Sequence, residues 1–323
     1  MTSVLAPFGP VEADLDTLRQ NLTSLVSAKH PILGLAAEHL FTAGGKRIRP
    51  AIVLLVARAT AGQGELTEQH RRLAEITEMI HTASLVHDDV IDTAETRRGV
   101  STVNADFGNR VAVLAGDFLF AQSSWYLANL DNLEVVKLLS QVIKDFAEGE
   151  LFQIESQFDL SMTLERYLDK NYYKTASLLA NSAKAAAVLS GMGAEVASAM
   201  YDYGRCLGIS FQIVDDLLDY TSSSEALGKP AGSDLAQGHI TAPVLFALEE
   251  IPQLHDLIHE DMVQKGHLSE AVRWVLESEG IPRSRQLARE YAQKAAAALT
   301  ALKDSPSRLA LHHLTTYILE RLS

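Results

Sequence analysis

The sequence has very little cysteine and a long stretch without proline. Cys206 is the single cysteine among 323 residues, so no disulfide can form within the chain. A reducing compartment such as the cytoplasm fits this composition best. All nine prolines lie outside the interval from Ala51 to Lys229. Because proline interrupts helices, this interval, which is rich in Ala and Leu, predicts successive long helices.

Basic residues and long apolar runs are also scarce. Lys and Arg total 28 against 41 Asp and Glu, a net charge of -13, which argues against nucleic acid as the main partner. Arg58 and Asp117 interrupt the most apolar stretches, so none reaches the roughly 20 residues of a membrane helix. The first residues lack the basic and apolar regions of a signal peptide. The sequence therefore predicts a soluble, cytoplasmic protein.

Hydrophobic residues make up 47% of the chain, which is enough for a sizeable core. No internal repeat, low-complexity linker or mid-chain charge run divides the sequence. The apolar spacing within the proline-free interval is helical rather than alternating. We therefore expect one all-α domain over residues 1–323, with a Gly- and Pro-rich loop from Gly228 to Pro243.

Two acidic clusters follow directly on apolar segments. HDDVID covers residues 87–92 and DDLLD covers residues 215–219. On a helix, aspartates four positions apart share one face at about 6 Å and repel each other. Mg²⁺ prefers oxygen ligands and usually binds one or two carboxylates together with substrate phosphates. Each cluster could be a solvated helix face, but two copies that follow apolar segments favour metal ions bound to a diphosphate.

Basic and polar residues near these clusters could bind phosphate. The segment GGKRIRP places Lys46, Arg47 and Arg49 behind two glycines, although such a segment can also be an ordinary surface turn. Arg97 and Arg98 follow the first cluster and could balance the aspartates, bind phosphate, or do both. Further candidates on the predicted helices are Lys174, Thr175, Gln212 and His81, the last of which could instead be a structural hydrogen-bond donor.

Together these segments resemble the trans-isoprenyl diphosphate synthases, or polyprenyl synthetases. The matching segments occur in the family's order and are GGKRIRP (44–50), HDDVIDTAETRRG (87–99), GDFLF (116–120), YKTASL (173–178), FQIVDDLLDY (211–220) and GKPAGSDL (228–235). Within the family the chain is most similar to the long-chain members, especially the solanesyl diphosphate synthases of oxygenic phototrophs. HRRLAEITEMIHTASLVHDD at residues 70–89 carries part of that closer similarity.

The resemblance implies an all-α bundle of long helices around a deep central cavity, the isoprenoid synthase fold, usually in a homodimer. It implies repeated head-to-tail addition of isopentenyl diphosphate to an allylic diphosphate, farnesyl or geranylgeranyl, with three Mg²⁺ ions. The product would be a long all-trans chain such as solanesyl (C45) diphosphate, for a quinone side chain such as that of plastoquinone. Release of this product implies transient association with a membrane.

The resemblance also implies roles for individual residues. The acidic residues that would hold the metals on the allylic diphosphate are Asp88, Asp89, Asp92, Asp215, Asp216 and Asp219, with Asp88, Asp92 and Asp215 as direct ligands. The residues for isopentenyl diphosphate are Lys46, Arg49, His81 and Arg98, and those for the allylic substrate are Arg97, Lys174, Thr175, Gln212 and Lys229. Lys174 would also be catalytic. His239 departs from the Lys or Asn of many relatives, so a charge at that position cannot be carried over.

Chain length would be set on the helix of the first cluster. Short-chain relatives carry a bulky aromatic residue at one of the positions of Ala83 and Ser84, just before Asp88. Small residues here leave the route of the growing chain open toward Ile80, although they could serve helix packing instead. A C20 or C40–C50 product is the alternative to C45.

Other functions fit the sequence less well. A class I terpene cyclase also binds metals through aspartates, but it typically lacks the second DDxxD motif and does not need a second diphosphate site. A non-catalytic subunit of a heteromeric synthase tends to lose aspartates, whereas all six are present here. A simple metal-binding helical bundle does not account for the ordered basic residues.

Overall fold

The computed structural model describes residues 8–26, 28–42, 45, 47–61, 65–97, 99–221, 231–259 and 262–322. Within these ranges the chain is helical, and the only strands are two segments of two residues each. The prediction of an all-α protein is therefore confirmed. No helix among these residues is both long enough and apolar enough to cross a membrane.

The described residues form the following α-helices in chain order. They are α1 (Glu12–Leu25), α2 (Pro31–Thr42), α3 (Ile48–Thr60), α4 (Glu68–Ile91), α5 (Val103–Phe107), α6 (Asn109–Ala128), α7 (Leu133–Glu155), α8 (Leu164–Asn171), α9 (Ser177–Leu189), α10 (Ala194–Thr221), α11 (Ser233–Ala236), α12 (Ala242–Glu250), α13 (Leu268–Glu277), α14 (Gly280–Ala298) and α15 (Pro306–Glu320). The antiparallel strands β1 (Thr96–Arg97) and β2 (Val100–Ser101) follow α4. Short 3-10 segments occur at Gly9–Val11, Pro252–Asp256 and Leu299–Ala301, and a π-helical turn, Tyr172–Ala176, separates α8 from α9.

Proline and hydroxyl residues mark the beginnings of several helices. Pro31, Pro50, Pro243 and Pro306 each lie in the first turn of a helix, where a missing N–H leaves no intrahelical hydrogen bond unmade. Helix α4 begins with a capping box, in which the Thr67 hydroxyl accepts a hydrogen bond from the His70 backbone. Helices α4 to α10 all lie in the proline-free interval, as its composition predicts.

The chain folds into two compact units, each made of several separate segments of the sequence. Unit 1 comprises Met1–Ile143, Asn181–Tyr201 and Ala301–Leu311. Unit 2 comprises Lys144–Ala180, Asp202–Thr300 and His312–Ser323. The first acidic cluster belongs to unit 1 and the second to unit 2. A single domain over residues 1–323, with a deep central cavity, stays a prediction.

Unit 1 is built around α3 and α4. Every residue from 51 to 57 in α3 is buried, so this helix is enclosed on all sides. Helix α6 packs against α4 at Gly116, whose missing side chain leaves room for the imidazole of His87. A Cβ atom there would lie 2.2 Å from Nε2 of His87, so the imidazole would have to move aside. The GDFLF segment thus lies beside the residue that precedes Asp88.

Unit 2 contains a close helix contact that also depends on glycine. A Cβ atom on Gly204 of α10 would lie 2.3 Å from the carbonyl oxygen of Leu179 in α9. One turn later, a Cβ atom on Gly208 would lie 2.6 Å from Cα of Ala176 in the π-helical turn. These two glycines therefore let the backbone of α10 approach the segment that carries Lys174 and Thr175.

Candidate active site

The first acidic cluster lies at the carboxyl end of α4. Asp88 is half-buried, Asp89 is buried, and Asp92 is exposed as the residue that ends the helix. The last carbonyl groups of a helix carry partial negative charge, which adds to the repulsion among the aspartates. A cation at this helix end is therefore favoured by both the side chains and the backbone.

Asp89 already has a protein cation as its partner. Nε and Nη2 of Arg97 lie 2.8 and 2.7 Å from Oδ1 of Asp89. Arg97 is held in strand β1, and the hairpin returns through Gly99, whose φ of 79° is readily adopted only by glycine. Arg97 thus balances the charge of Asp89, which is one of the alternatives that the sequence left open for it. Arg98 lies outside the described residues.

The hairpin is anchored on both sides. The hydroxyl of Thr102 donates to the carbonyl oxygen of Ala94 at 2.7 Å and caps α5 by accepting a hydrogen bond from the backbone of Ala105. Nε2 of His39 lies 2.7 Å from the carbonyl oxygen of Ser101, which can only accept, so this nitrogen carries the proton. The sequence did not single out His39, because its partner lies 62 positions away.

Arg47, which precedes α3, and Arg49, in the first turn of α3, have different partners. Arg47 has a left-handed φ of 49° and forms a buried ion pair with Glu78 of α4. The guanidinium of Arg49 instead lies 2.9 Å from Nε2 of His81, which is two turns before Asp88 on α4. Arg47 therefore ties the start of α3 to α4, and Arg49 and His81, both predicted for isopentenyl diphosphate, lie together. Lys46 is outside the described residues.

A small open pocket lies in unit 1 beside these groups. The charged and imidazole side chains that line it are His39, Arg47, Glu78, His81, Asp89 and Arg97. Thr102 and Ser101 of the hairpin add polar groups, and leucine and valine side chains complete the wall. The pocket thus combines an apolar wall with two ion pairs, Arg47 with Glu78 and Arg97 with Asp89, and with the imidazole groups of His39 and His81.

The second acidic cluster lies near the carboxyl end of α10, and its central residue is fully enclosed. Asp216 accepts hydrogen bonds from the hydroxyl of Tyr167 at 2.5 Å and from Nε2 of Gln212 at 2.9 Å. Thr175 donates to Oε1 of Gln212 at 2.7 Å. The structure therefore joins the predicted residues Thr175, Gln212 and Asp216 into one network.

Two residues that interact with Asp216, Tyr167 through a hydrogen bond and Lys170 through its charge, were missed from the sequence. Tyr167 is fully buried and Lys170 is nearly so, one turn before Lys174. Burial lowers the pKa of Lys170, and the charge of Asp216 opposes that shift. Burial, and then the negative charge of Asp234, raise the pKa of Asp216 to about 7. The spacing in DKNYYKT was a possible signal for Lys170, because residues four apart share a helix face.

Asp219 anchors the segment that follows α10. Its carboxylate accepts hydrogen bonds from the hydroxyl of Ser233 at 2.8 Å and from the backbone N–H of Asp234 at 3.1 Å. Its backbone carbonyl accepts from the N–H of Gly232 at 3.0 Å. Asp219 thus fixes the GSDL segment as well as belonging to the cluster. Lys229, in the same loop, lies outside the described residues.

Asp215 is half-buried and lies beside a guanidinium group. Nη1 of Arg321, just after α15, is 2.7 Å from Oδ1 of Asp215. The same guanidinium lies 4.9 Å from the ring centre of Phe211, one turn earlier on α10. Arg321 was not identified from the sequence, because it is 106 positions from Asp215.

Lys174 lies in the π-helical turn, where one extra residue displaces the backbone. Its ammonium group is 2.9 Å from Oε1 of Glu150 and donates to Oε1 of Gln153 at 3.1 Å. Both partners belong to α7. Lys174 is thus held at a point where a local irregularity of the helix coincides with a predicted site residue.

The predicted chain-length residues lie on α4. Ile80 and Ala83 are fully buried, whereas Ser84 is half-buried. The hydroxyl of Ser84 donates to the carbonyl oxygen of His81 at 2.9 Å, within the same helix. A larger side chain at position 83 would have to displace packed neighbours or fill space along this helix.

The chain is similar to known proteins along most of its length. The polyprenyl synthetase family profile matches residues 30–277. A prenyl transferase of Synechocystis sp. is 62% identical over 322 residues, which span 100% of both chains. The chloroplastic solanesyl diphosphate synthase 1 of Arabidopsis thaliana is 56% identical over 323 residues, which span 99% of this chain and 80% of that protein.

A solved structure extends the similarity to the fold. The polyprenyl synthase of Caulobacter crescentus, in complex with calcium and isoprenyl diphosphate, superposes with a TM-score of 0.89 at 33% identity. The match covers 97% of this chain and 96% of that one. With its helices, its two acidic motifs and these relatives, the chain belongs to the polyprenyl synthetase family, has the isoprenoid synthase fold and is a prenyltransferase.

Proposed function

We propose that this prenyltransferase adds isopentenyl diphosphate repeatedly to an allylic diphosphate, farnesyl or geranylgeranyl, and makes all-trans solanesyl diphosphate for a quinone side chain. The observation that carries the proposal is a difference in burial among the aspartates of each acidic motif. The central residues, Asp89 and Asp216, are buried and bound by protein groups, whereas Asp88, Asp92 and Asp215 are more accessible. The accessible carboxylates are the predicted metal ligands.

The accessible carboxylates suit Mg²⁺. Asp88 and Asp92 offer two oxygen donors one helical turn apart at the negative end of α4, and Asp215 offers another on α10. Mg²⁺ needs only one or two carboxylates when phosphate oxygens and water complete its octahedron. Within the described residues no three acidic, histidine or cysteine side chains converge. We propose that three Mg²⁺ ions bind with the diphosphate, and the calcium complex of the Caulobacter relative supports a divalent cation.

The cations of unit 1 would bind isopentenyl diphosphate. Nη1 of Arg49 lies 2.9 Å from Nε2 of His81, so both side chains are close enough to bind one phosphate group. Lys46 and Arg98 are proposed for the same substrate on the family resemblance. If this assignment holds, Arg98→Ala raises KM for isopentenyl diphosphate, and a change confined to the allylic substrate would contradict it.

The allylic substrate would be bound by Arg97, Lys174, Thr175, Gln212 and Lys229. Metal ions would stabilise the negative charge that develops on the departing diphosphate. The chain's own contribution is to position cations around that group, so that the C–O bond can break to an allylic carbocation. The double bond of isopentenyl diphosphate then attacks the cation, and the released diphosphate takes the proton. Apolar walls keep water from quenching the cation.

Product length is proposed to be set by Ala83 and Ser84. One helical turn advances about 5.4 Å, close to the length of one isoprene unit, so Ala83→Tyr should shorten the product to three or four units. The first condensations should stay largely intact. Ala57→Tyr on α3 is a matched control, since it overfills a buried alanine of another helix. A folded Ala83→Tyr enzyme that still makes full-length product would refute the proposal that these positions set the product length.

The metal assignment is tested by separate substitutions in the two motifs. Asp88→Ala and Asp215→Ala should each lower turnover by orders of magnitude while the helical circular-dichroism signal persists. Asp16→Ala is the control, because this exposed aspartate on α1 pairs with Arg19 outside the site. Near-normal turnover in both motif variants would contradict the assignment.

We also propose a homodimer of single-domain chains. Large apolar side chains are exposed along α6, among them Val113, Leu114 and Trp125, and such side chains favour burial by a second chain. Light scattering of the purified protein should give twice the chain mass.

Location in the cytoplasm is proposed from the lone cysteine and the absence of disulfides.

Transient membrane association is proposed for product release. A product of about nine isoprene units partitions strongly into lipid, at about 0.8 kcal/mol per buried CH₂. Liposomes should therefore accelerate multiple turnover, and no effect at any lipid concentration would argue against slow release.

A further inference from the structure

The carboxylate of Asp215 is shared between two demands. It is the proposed metal ligand of the second acidic motif, and it also forms an ion pair with Arg321 at 2.7 Å. A direct Mg²⁺–oxygen bond is about 2.1 Å, so a metal on the same oxygen would lie no more than about 4.8 Å from the guanidinium nitrogen. Two cations at that separation repel each other. Metal and Arg321 therefore compete for Asp215.

The surroundings of Arg321 make this ion pair separable. Its side chain is 28% exposed and that of Asp215 is 36% exposed. Although Nη1 is close to the carboxylate, its geometry does not meet that of a hydrogen bond. The guanidinium also rests on the ring of Phe211, 4.9 Å from its centre. The cation–π attraction to this ring can keep the guanidinium nearby when the carboxylate binds another cation.

We infer that Arg321 is a positioning residue for Asp215, a resident counter-ion that holds the carboxylate until a divalent cation displaces it. This inference rests on the proposed metal role of Asp215 and adds a regulatory partner to it. Because coupling between two binding events is reciprocal, the arginine weakens metal binding by the same factor by which metal weakens the ion pair.

The test measures metal binding at one fixed concentration of inorganic diphosphate, because the metal ions are proposed to bind with that group. A sample without protein gives the Mn²⁺ that the diphosphate holds by itself. Mn²⁺ replaces Mg²⁺, and the paramagnetic resonance signal of free Mn²⁺ gives the binding isotherm of each variant. Ion pairs that are partly exposed to solvent are weak, so Arg321→Gln should strengthen binding by only about two- to fivefold. In an Asp215→Asn background, the same substitution should have no further effect. Thermal unfolding establishes that the variants are folded.

A matched control is available elsewhere in unit 2. Nη1 of Arg283 lies 2.6 Å from Glu249, and its guanidinium lies 4.1 Å from the ring centre of Phe246. Arg283→Gln thus removes the same combination of carboxylate and aromatic contacts away from the acidic motif, and it should leave Mn²⁺ binding unchanged. Phe211→Leu removes only the ring below Arg321 and, as a second variant, should change Mn²⁺ affinity in the direction that Arg321→Gln does.

Three results would overturn the inference. Arg321→Gln could bind Mn²⁺ no more tightly than Arg283→Gln, or its effect could persist in the Asp215→Asn background. If Asp215→Asn left Mn²⁺ stoichiometry unchanged, the metal role of Asp215 would fail together with the inference. A protein that binds Mn²⁺ as expected but incorporates no isopentenyl diphosphate would instead disprove the proposed function alone.

Discussion

Gly208→Ala tests whether a backbone contact in unit 2 positions the allylic-substrate residues. The new Cβ atom would lie 2.6 Å from Cα and 2.8 Å from Cβ of Ala176, whereas carbon atoms in contact lie about 3.5–4.0 Å apart. Backbone atoms cannot rotate away as a side chain can, so α10 and the π-helical turn must separate by about 1 Å. Thr175, next to Ala176, would then lose its 2.7 Å hydrogen bond to Gln212.

The magnitude follows from two opposing effects. Overpacking of this kind costs about 1–3 kcal/mol, and replacing a helical glycine by alanine returns up to about 1 kcal/mol. We therefore expect Gly208→Ala to lower the free energy of unfolding by about 1–2 kcal/mol. Displacement of substrate-positioning groups by about 1 Å should lower kcat/KM by about tenfold to a hundredfold.

Gly34→Ala on α2 is the matched control. Among the described residues, a Cβ atom at Gly34 would meet only the carbonyl oxygen of Ala28, at an ordinary 3.8 Å. This variant should be stabilised by about 0.5–1 kcal/mol and keep its kcat/KM. Urea unfolding and steady-state kinetics measure both effects. If both glycine variants were stabilised alike and equally active, the close approach of α10 would not hold Thr175 in place.

Two further predictions concern buried polar groups. Tyr167→Phe leaves Oδ2 of the buried Asp216 without its 2.5 Å hydroxyl donor and should cost about 1–3 kcal/mol in urea unfolding, and an unchanged midpoint would contradict the network. Burial lowers the pKa of His70, so below about 6.5 the unfolded chain binds a proton before the folded chain does. The free energy of unfolding should therefore be highest above that pH. As the pH decreases further, it should decrease by more in the native protein than in His70→Gln, and equal decreases in both would refute the assignment.

The helices could be predicted because their signals are local. The proline-free interval and the apolar spacing are properties of adjacent residues, and α4 to α10 lie where they predict helices. The acidic motifs could be recognised because aspartates four apart must share a helix face. The ion pair between Asp89 and Arg97 was one of the alternatives that the sequence left open. It could be foreseen because the two residues are close in the sequence.

The partners of the site could not be predicted, because they are distant in the sequence or depend on backbone geometry. Arg47 looked like a phosphate ligand in GGKRIRP, yet its left-handed backbone directs the side chain to Glu78, 31 positions away. Tyr167 and Arg321 reach Asp216 and Asp215 only because the folded chain brings separate helices together. The sequence carries no local pattern for such contacts.

The central claim, that this chain elongates an allylic diphosphate to a long polyprenyl diphosphate, is tested most directly by sizing its product. The purified protein would be incubated with Mg²⁺, radiolabelled isopentenyl diphosphate and either farnesyl or geranylgeranyl diphosphate, and the products separated by reversed-phase chromatography. We predict metal-dependent incorporation and a main product of about nine isoprene units. Products of different length are separable because each CH₂ contributes about 0.8 kcal/mol to partitioning into an apolar phase. A main product that stops after one addition, or no incorporation with either primer, would contradict the account.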